Sequence, residues 1–153
     1  MKVLLFLCTG NYYRSRFAEE VFNSLAPAQC PDWSATSRGI AVDLGTDNVG
    51  PIALATAKAL ADRGLPFDRE RARMPMQVTP DDLDSADHIV ALKQTEHFPL
   101  MQDRFPSWIA ANDPSRIEYW EIHDVDKWTP ARALPLIEQK VTELVARLAA
   151  AQA

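Results

Sequence analysis

Apolar and polar positions along this chain fall into blocks with two different periods. Val3 to Cys8 is an unbroken apolar run, VLLFLC, with no polar residue alternating into it. A short run of this kind predicts a strand buried on both faces, as in a parallel sheet. From Ser15 to Leu25 the period changes. Ala18, Val21, Phe22 and Leu25 recur at helical spacing, and Pro27 is expected to close the segment. Trp33 to Ile40 reads as a second, less apolar strand. Pro51 is placed to open a helix running to Arg63, with Gly64 as its stop. Thr79-Pro80-Asp81-Asp82 is an N-cap followed by a proline and two acids, which starts a short helix. His88 to Leu92 predicts a third strand, Lys93 to Arg104 a helix crossed by Pro99, and Ile117 to Ile122 a fourth strand. Thr129-Pro130 then begins a long helix with Ile137, Val141, Leu144, Val145 and Leu148 on one face and Pro135 near its start.

Strands alternating with helices predict an α/β fold, a mostly parallel sheet covered by helices, in a single domain over residues 1–153. Ligands of such sheets bind beyond the carboxyl ends of the strands. Cys8, Asp124 and their loops belong to that end.

Composition narrows the function. Hydrophobic residues make up 47% and charged residues 24%, ordinary for a globular chain with a core. The net charge of −5 speaks against a nucleic-acid partner, whose binding face is usually basic. Two cysteines, Cys8 and Cys30, make neither a disulfide framework nor a zinc site, so reduced thiols in a cytoplasmic compartment are expected. The opening apolar run is too short for a signal peptide and lacks a small-residue cleavage site before Arg14 and Arg16. No apolar stretch approaches membrane-spanning length, so no membrane partner is expected.

The chemistry concentrates at the end of the first strand. Cys8 is followed by Thr9-Gly10-Asn11-Tyr12-Tyr13, then by Arg14 and Ser15 where a helix begins, giving C-x5-R-S. A loop wrapping ahead of a helix N-terminus points backbone N–H groups at one spot and cradles a tetrahedral oxyanion. Gly10 permits unusual backbone angles, and Asn11 tolerates them. Arg14 adds a planar fork of donors for two phosphate oxygens. The same positive field favours the thiolate of Cys8, and the Ser15 hydroxyl can hydrogen-bond it. The alternative is a buried structural cysteine beside an exposed arginine. The strand before it and the helix after it favour the phosphate cradle.

The stretch VLLFLCTGNYYRSRFAEEVF resembles the N-terminus of the low-molecular-weight protein tyrosine phosphatases. There a strand leads into C-x-G-N-x-x-R-S and a helix beginning near an Ala-Glu pair, matched here by Cys8, Gly10, Asn11, Arg14, Ser15, Ala18 and Glu19. The resemblance continues through SRGI (Ser37 to Ile40), RARMPMQVTPDDLDSADHIVAL and the last helix. It implies a four-stranded parallel sheet in a three-layer, flavodoxin-like arrangement and a metal-free, cofactor-free phosphatase working through a phosphocysteine. It also implies a general acid in a late D-P-aromatic loop. The sequence has EIHDVDKWTP there, with Val125 in the proline's place. Asp124 is the first choice, Asp126 the rival, and His123 a lesser donor.

Several positions depart from the family pattern. Tyr13 stands where many members carry a second cysteine, Arg16 replaces a proline and is expected to add charge near the phosphate, and Glu70 falls where a loop-bracing His is common. Ser37 matches a bracing serine. Tyr12, Tyr13 and Trp128 are candidate walls for an aromatic substrate, while Asp43 and Leu44 occupy the place of a rim Trp. His88 and His97 are expected to be structural or exposed. The expected partner is a phosphorylated substrate, a phosphotyrosine protein or a small aryl phosphate. Two other readings are a catalytically weak phosphate-binding module and an arsenate reductase, the latter short of relay cysteines.

Overall fold

The N-terminal apolar run becomes a central strand, β1 (Lys2–Cys8), whose last five residues are buried. The computed structural model describes residues 1–65 and 67–152. β1 pairs in parallel with β2 (Trp33–Gly39) on one side and with β3 (His88–Ala91) on the other, and β3 pairs in parallel with β4 (Ile117–Tyr119). The strand order is β2-β1-β3-β4.

Successive side chains of a strand point to opposite faces, and β1 shows what that does. Leu4, Phe6 and Cys8 face a core with Phe17 and Phe22 of α1 (Arg14–Gln29) and Ile137, Val141 and Leu144 of α6 (Pro130–Ala151). Leu5 and Leu7 face a second core with Leu83 of α3 (Pro80–Ser85), Met101 of α4 (Gln94–Arg104) and Trp108 of α5 (Pro106–Ala111). Helices thus cover both faces, with α2 (Leu54–Asp62) packed beside α1 and α6. Phe6 meets Phe22 edge-on with centroids 6.3 Å apart, and Trp120 at 5.8 Å. Burying such a ring contributes about 1.5–3 kcal/mol.

The chain leaves β1 toward β2 and then crosses back to β3 on the far side. The carboxyl ends of β1 and β3 therefore flank a topological switch point, where a crevice opens. Cys8 stands at that point.

Some boundaries differ from the sequence reading. Pro27 lies inside α1, which runs on to Gln29. The helical bond it removes would have gone to the carbonyl of exposed Asn23, which water can satisfy. α2 starts at Leu54 rather than Pro51, because residues 51–53 are recruited elsewhere: the Pro51 carbonyl accepts from Arg16, and Ala53 N–H donates to the Tyr12 carbonyl. β4 ends at Tyr119, although Trp120 and Ile122 still donate to the carbonyls of Ala91 and Leu92. The α5 helix falls where no element was expected. No helix among the described residues is long and apolar enough to cross a membrane.

Candidate active site

Cys8 ends β1 with 3% of its surface exposed, and the loop after it is turned inside out. The carbonyls of Cys8 and Thr9 accept from Ile40 N and Ala41 N at 2.9 and 3.0 Å. The carbonyl of Tyr12 accepts from Ala53 N, and that of Tyr13 from Phe17 N and the Thr56 hydroxyl. With these carbonyls drawn outward, the N–H groups of Gly10 to Arg14 meet no protein acceptor among the described residues. No side chain caps α1 either. Unspent N–H groups at a helix start form an anion cradle.

The left-handed residue of the loop is Asn11, at φ 52°, rather than Gly10. Its amide uses all of its hydrogen-bonding capacity. Nδ2 donates to Ser15 Oγ and Ser37 Oγ, both at 2.9 Å, and Oδ1 accepts from Arg73 Nη1 at 2.9 Å and Met76 N at 3.0 Å. Because Asn11 donates to Ser15 Oγ, the Ser15 hydroxyl proton is left to point at Cys8 Sγ, 2.9 Å away. Ser37 Oγ in turn donates to Glu19 at 3.0 Å, and Arg73 Nη2 reaches both Ser37 and Glu19. The end of β2 comes very close to the loop at Gly39, where a Cβ would lie 2.8 Å from the Thr9 carbonyl and 2.6 Å from Val42. Only glycine fits there.

Arg14 is 2% exposed. Its Nη1 donates to the Ile122 carbonyl at 2.9 Å, while Nη2 meets Glu96 Oε2 at 2.7 Å and Asp124 Oδ2 at 3.5 Å. Burial alone lowers the guanidinium's pKa, but the charges of Cys8, Glu96 and Asp124 outweigh it and hold the pKa above its ordinary value. Burial pushes the Glu96 carboxyl up, and the His97 hydrogen bond together with Arg14 overcomes this and holds it well below the carboxylate range. His97 is fully buried, which drives its pKa down against the pull of Glu96.

Asp124 also accepts from Val125 N at 2.8 Å. It lines a cavity of about 170 Å³ together with Cys8, Arg14, Tyr12, Tyr13 and Asn48. Asp126 is exposed and lines an open trough beside that cavity, with Glu96 and Asp103. The Tyr12 hydroxyl donates to the Val49 carbonyl at 2.6 Å, which fixes its ring at the cavity wall. Tyr13 is buried with its hydroxyl unpaired. Burial, then the charge of Asp124, pushes its pKa up to about 12 against the pull of Arg14, so the phenol stays neutral. Among the described residues no group of three or more His, Cys, Asp or Glu side chains is placed to hold a metal ion.

The model of the low molecular weight phosphotyrosine protein phosphatase family matches residues 3–153. The chain belongs to that family. No curated protein sequence matches at a significant level. Among solved structures, YfkJ from Bacillus subtilis is 25% identical with a TM-score of 0.77, covering 97% of this chain and 94% of its own. A low molecular weight protein tyrosine phosphatase from Streptococcus pyogenes is 21% identical with a TM-score of 0.74, over 97% and 93% of the two chains. The YwlE arginine phosphatase from Geobacillus stearothermophilus is 20% identical with a TM-score of 0.67, over 99% and 93%.

In this low molecular weight phosphatase the structure places four of the departures from the family pattern and of the candidate walls as follows. Arg16 does not line the cavity, although its charge still acts on Cys8 from behind the loop. It is buried and donates to the carbonyls of Pro51, Arg73 and, more weakly, Asn11, clamping the loop from behind. Glu70 is exposed and outside the bracing network, whose place is taken by Arg73. Trp128 is not a cavity wall. Its ring lies 4.4 Å from His123 and carries the Arg132 guanidinium at 4.0 Å. Asp43 is paired with Arg104, and only exposed Leu44 reaches the trough. Glu96, Arg73 and Asn48 were missed. Nothing near them in sequence ties them to the phosphate loop, since Glu96 and Arg73 reach it across 82 and 62 residues.

Proposed function

We propose that this phosphatase cleaves phosphate monoesters of phenols, phosphotyrosine in proteins foremost, through a phosphocysteine intermediate. The observation that carries the reading is the convergence of Cys8, Arg14 and Asp124 on one cavity walled by two tyrosines. The Cys8 thiolate, steadied by the Ser15 hydroxyl, attacks phosphorus in line. An S–P bond forms as the P–O bond to the leaving group breaks. Arg14 and the loop N–H groups hold the three non-bridging oxygens. Asp124 gives its proton to the departing oxygen, then takes one from the water that breaks the S–P bond and restores the thiolate. The two unpaired cysteines suit a reducing, cytoplasmic setting.

A second reading is dephosphorylation of phosphoarginine. The carboxylates of Asp124, Asp126 and Glu96 around the cavity and trough would suit a guanidinium, and one structural neighbour is an arginine phosphatase. The weak-module reading, which rested on Val125, Arg16 and Glu70, loses part of its motive, because Arg16 clamps the loop from behind and Arg73 braces it where Glu70 does not. Arsenate reduction would need relay thiols, and Cys30 is completely buried.

The test is turnover of aryl phosphate, alkyl phosphate, phosphotyrosine peptide and phosphoarginine peptide without added metal. Aryl esters are expected to react faster than alkyl ones, and Cys8→Ser to abolish turnover. Asp124→Asn is expected to lose about 10²–10⁴-fold, while exposed Asp126→Asn stays within about twofold of wild type. Equal rates on alkyl esters would remove the phenol assignment, and a faster phosphoarginine reaction would install the second reading. Loss in Asp126→Asn with full activity in Asp124→Asn would move the acid. Phosphate binding with no turnover of any ester would leave a binding module.

A further inference from the structure

Glu96 has no part in the chemistry described so far, yet it is the most heavily bonded carboxylate at the site. Three donors converge on its Oε2: Arg14 Nη2 at 2.7 Å, His97 Nε2 at 2.9 Å, and the Thr9 hydroxyl. The His97 tautomer follows from its surroundings. Nδ1 accepts from Lys93 N at 3.0 Å, so the proton sits on Nε2, which faces both Glu96 Oε2 at 2.9 Å and the Thr9 hydroxyl oxygen at 3.2 Å. The ring is completely buried and cannot turn away. Glu96 is therefore locked by α4 in front of Arg14.

Two carboxylates thus share one guanidinium nitrogen. Glu96 holds Nη2 at 2.7 Å with 26% of its side chain exposed, and Asp124 stands back at 3.5 Å with 40% exposed. A shorter and drier pair is the stronger one. Were Glu96 absent, Nη2 of Arg14 would be left to Asp124, the other carboxylate that it meets. An ion-paired aspartate is held as a carboxylate and has no proton to give.

We infer that Glu96 is a positioning residue that occupies Arg14 so that Asp124 stays free to carry the proton for the leaving group. This rests on the proposed reaction, with Asp124 as its acid. His97 is the second member of the device, its Nε2–H facing both Glu96 and the Thr9 hydroxyl that donates to Glu96. Thr9 extends the same anchor to the first residue of the phosphate loop.

Leaving-group dependence separates this role from simple support of the loop. The leaving group departs in the first step, so kcat/KM carries the effect. In Glu96→Gln, kcat/KM for phenyl phosphate, a poor leaving group, is expected to fall about tenfold further than for a nitrophenyl phosphate, which needs little protonation. Asp124→Asn added to Glu96→Gln should cost much less than it costs alone, because the acid is already disabled. His97→Asn keeps an acceptor for Lys93 N but loses the Nε2–H that faces Glu96 and Thr9. It should shift the leaving-group dependence in the same direction, by less, and stands in if Glu96→Gln fails to fold. Equal losses on both esters, with an additive double mutant, would overturn the inference and leave Glu96 as a loop support. If Asp124→Asn itself keeps wild-type activity, the proposed reaction fails instead.

Discussion

Asn11 shows how much of the site hangs on one side chain. It takes the left-handed turn of the loop, and its amide joins Ser15, Ser37, Arg73 and Met76. A side chain that satisfied cannot shift without leaving a buried polar group unpaired, which costs about 1–3 kcal/mol. Arg73 is the least replaceable of its partners, since it also bonds Ser37 and Glu19. Arg73→Ala is therefore expected to destabilise the protein by about 1–3 kcal/mol in denaturant unfolding and to lower kcat/KM. An unchanged midpoint would show that Met76 N alone holds Asn11. Cys8, Arg14 and Ser15 were legible because the loop chemistry is local, with every part within eight residues. Arg73 and Glu96 were not, because a long side chain can arrive from any segment that the fold brings near. The sequence allowed the positive φ at either Gly10 or Asn11, and the side-chain bonds of Asn11 select the asparagine.

At the scale of elements, local signals worked where nothing tertiary competed with them. The Thr79 cap is a reciprocal capping box with Asp82, the two bonds being 3.2 and 3.0 Å. Thr79→Ala is expected to cost about 1 kcal/mol, read from the denaturant midpoint, with turnover retained. The start of α2 failed for the opposite reason. Pro51 is a good first-turn residue, but its carbonyl is claimed by Arg16, and Ala53 N–H is spent on the phosphate loop. The α5 helix was invisible because six residues are too few to show a period. It is held by Trp108, buried with its indole N–H on Asp84 at 2.9 Å. The central strands β1 and β3 were legible because burial on both faces leaves a continuous apolar run in the sequence, which the edge strands β2 and β4 lack.

At the scale of the whole molecule, half-buried carboxyls set how stability varies with pH. Glu20 is pushed up to about 7 by burial and by neighbouring Glu19, against Arg16 and Arg73. A raised carboxyl binds its proton more tightly in the folded state, so its ionisation destabilises the fold as pH rises from its ordinary value of 4.5 to about 7. Glu20→Gln should therefore raise the Tm at pH 8 and change it little at pH 4; an equal shift at both would mean that charge is not the cause. Glu96 and Glu118 act oppositely. Both carboxyls are held low, Glu118 chiefly by His88 and also by Arg147, so their stabilisation is complete above the carboxylate range and is lost as pH falls below it.

The outward carbonyls of the phosphate loop also bear on speed. Turning any of those peptides over would break a bond to the segment after β2 or to the start of α2. The cup therefore keeps its electrostatic sign when empty, and an arriving anion finds its donors already aimed. Little reorganisation has to precede capture, so the rate of binding is governed by diffusion and by the approach past Tyr12.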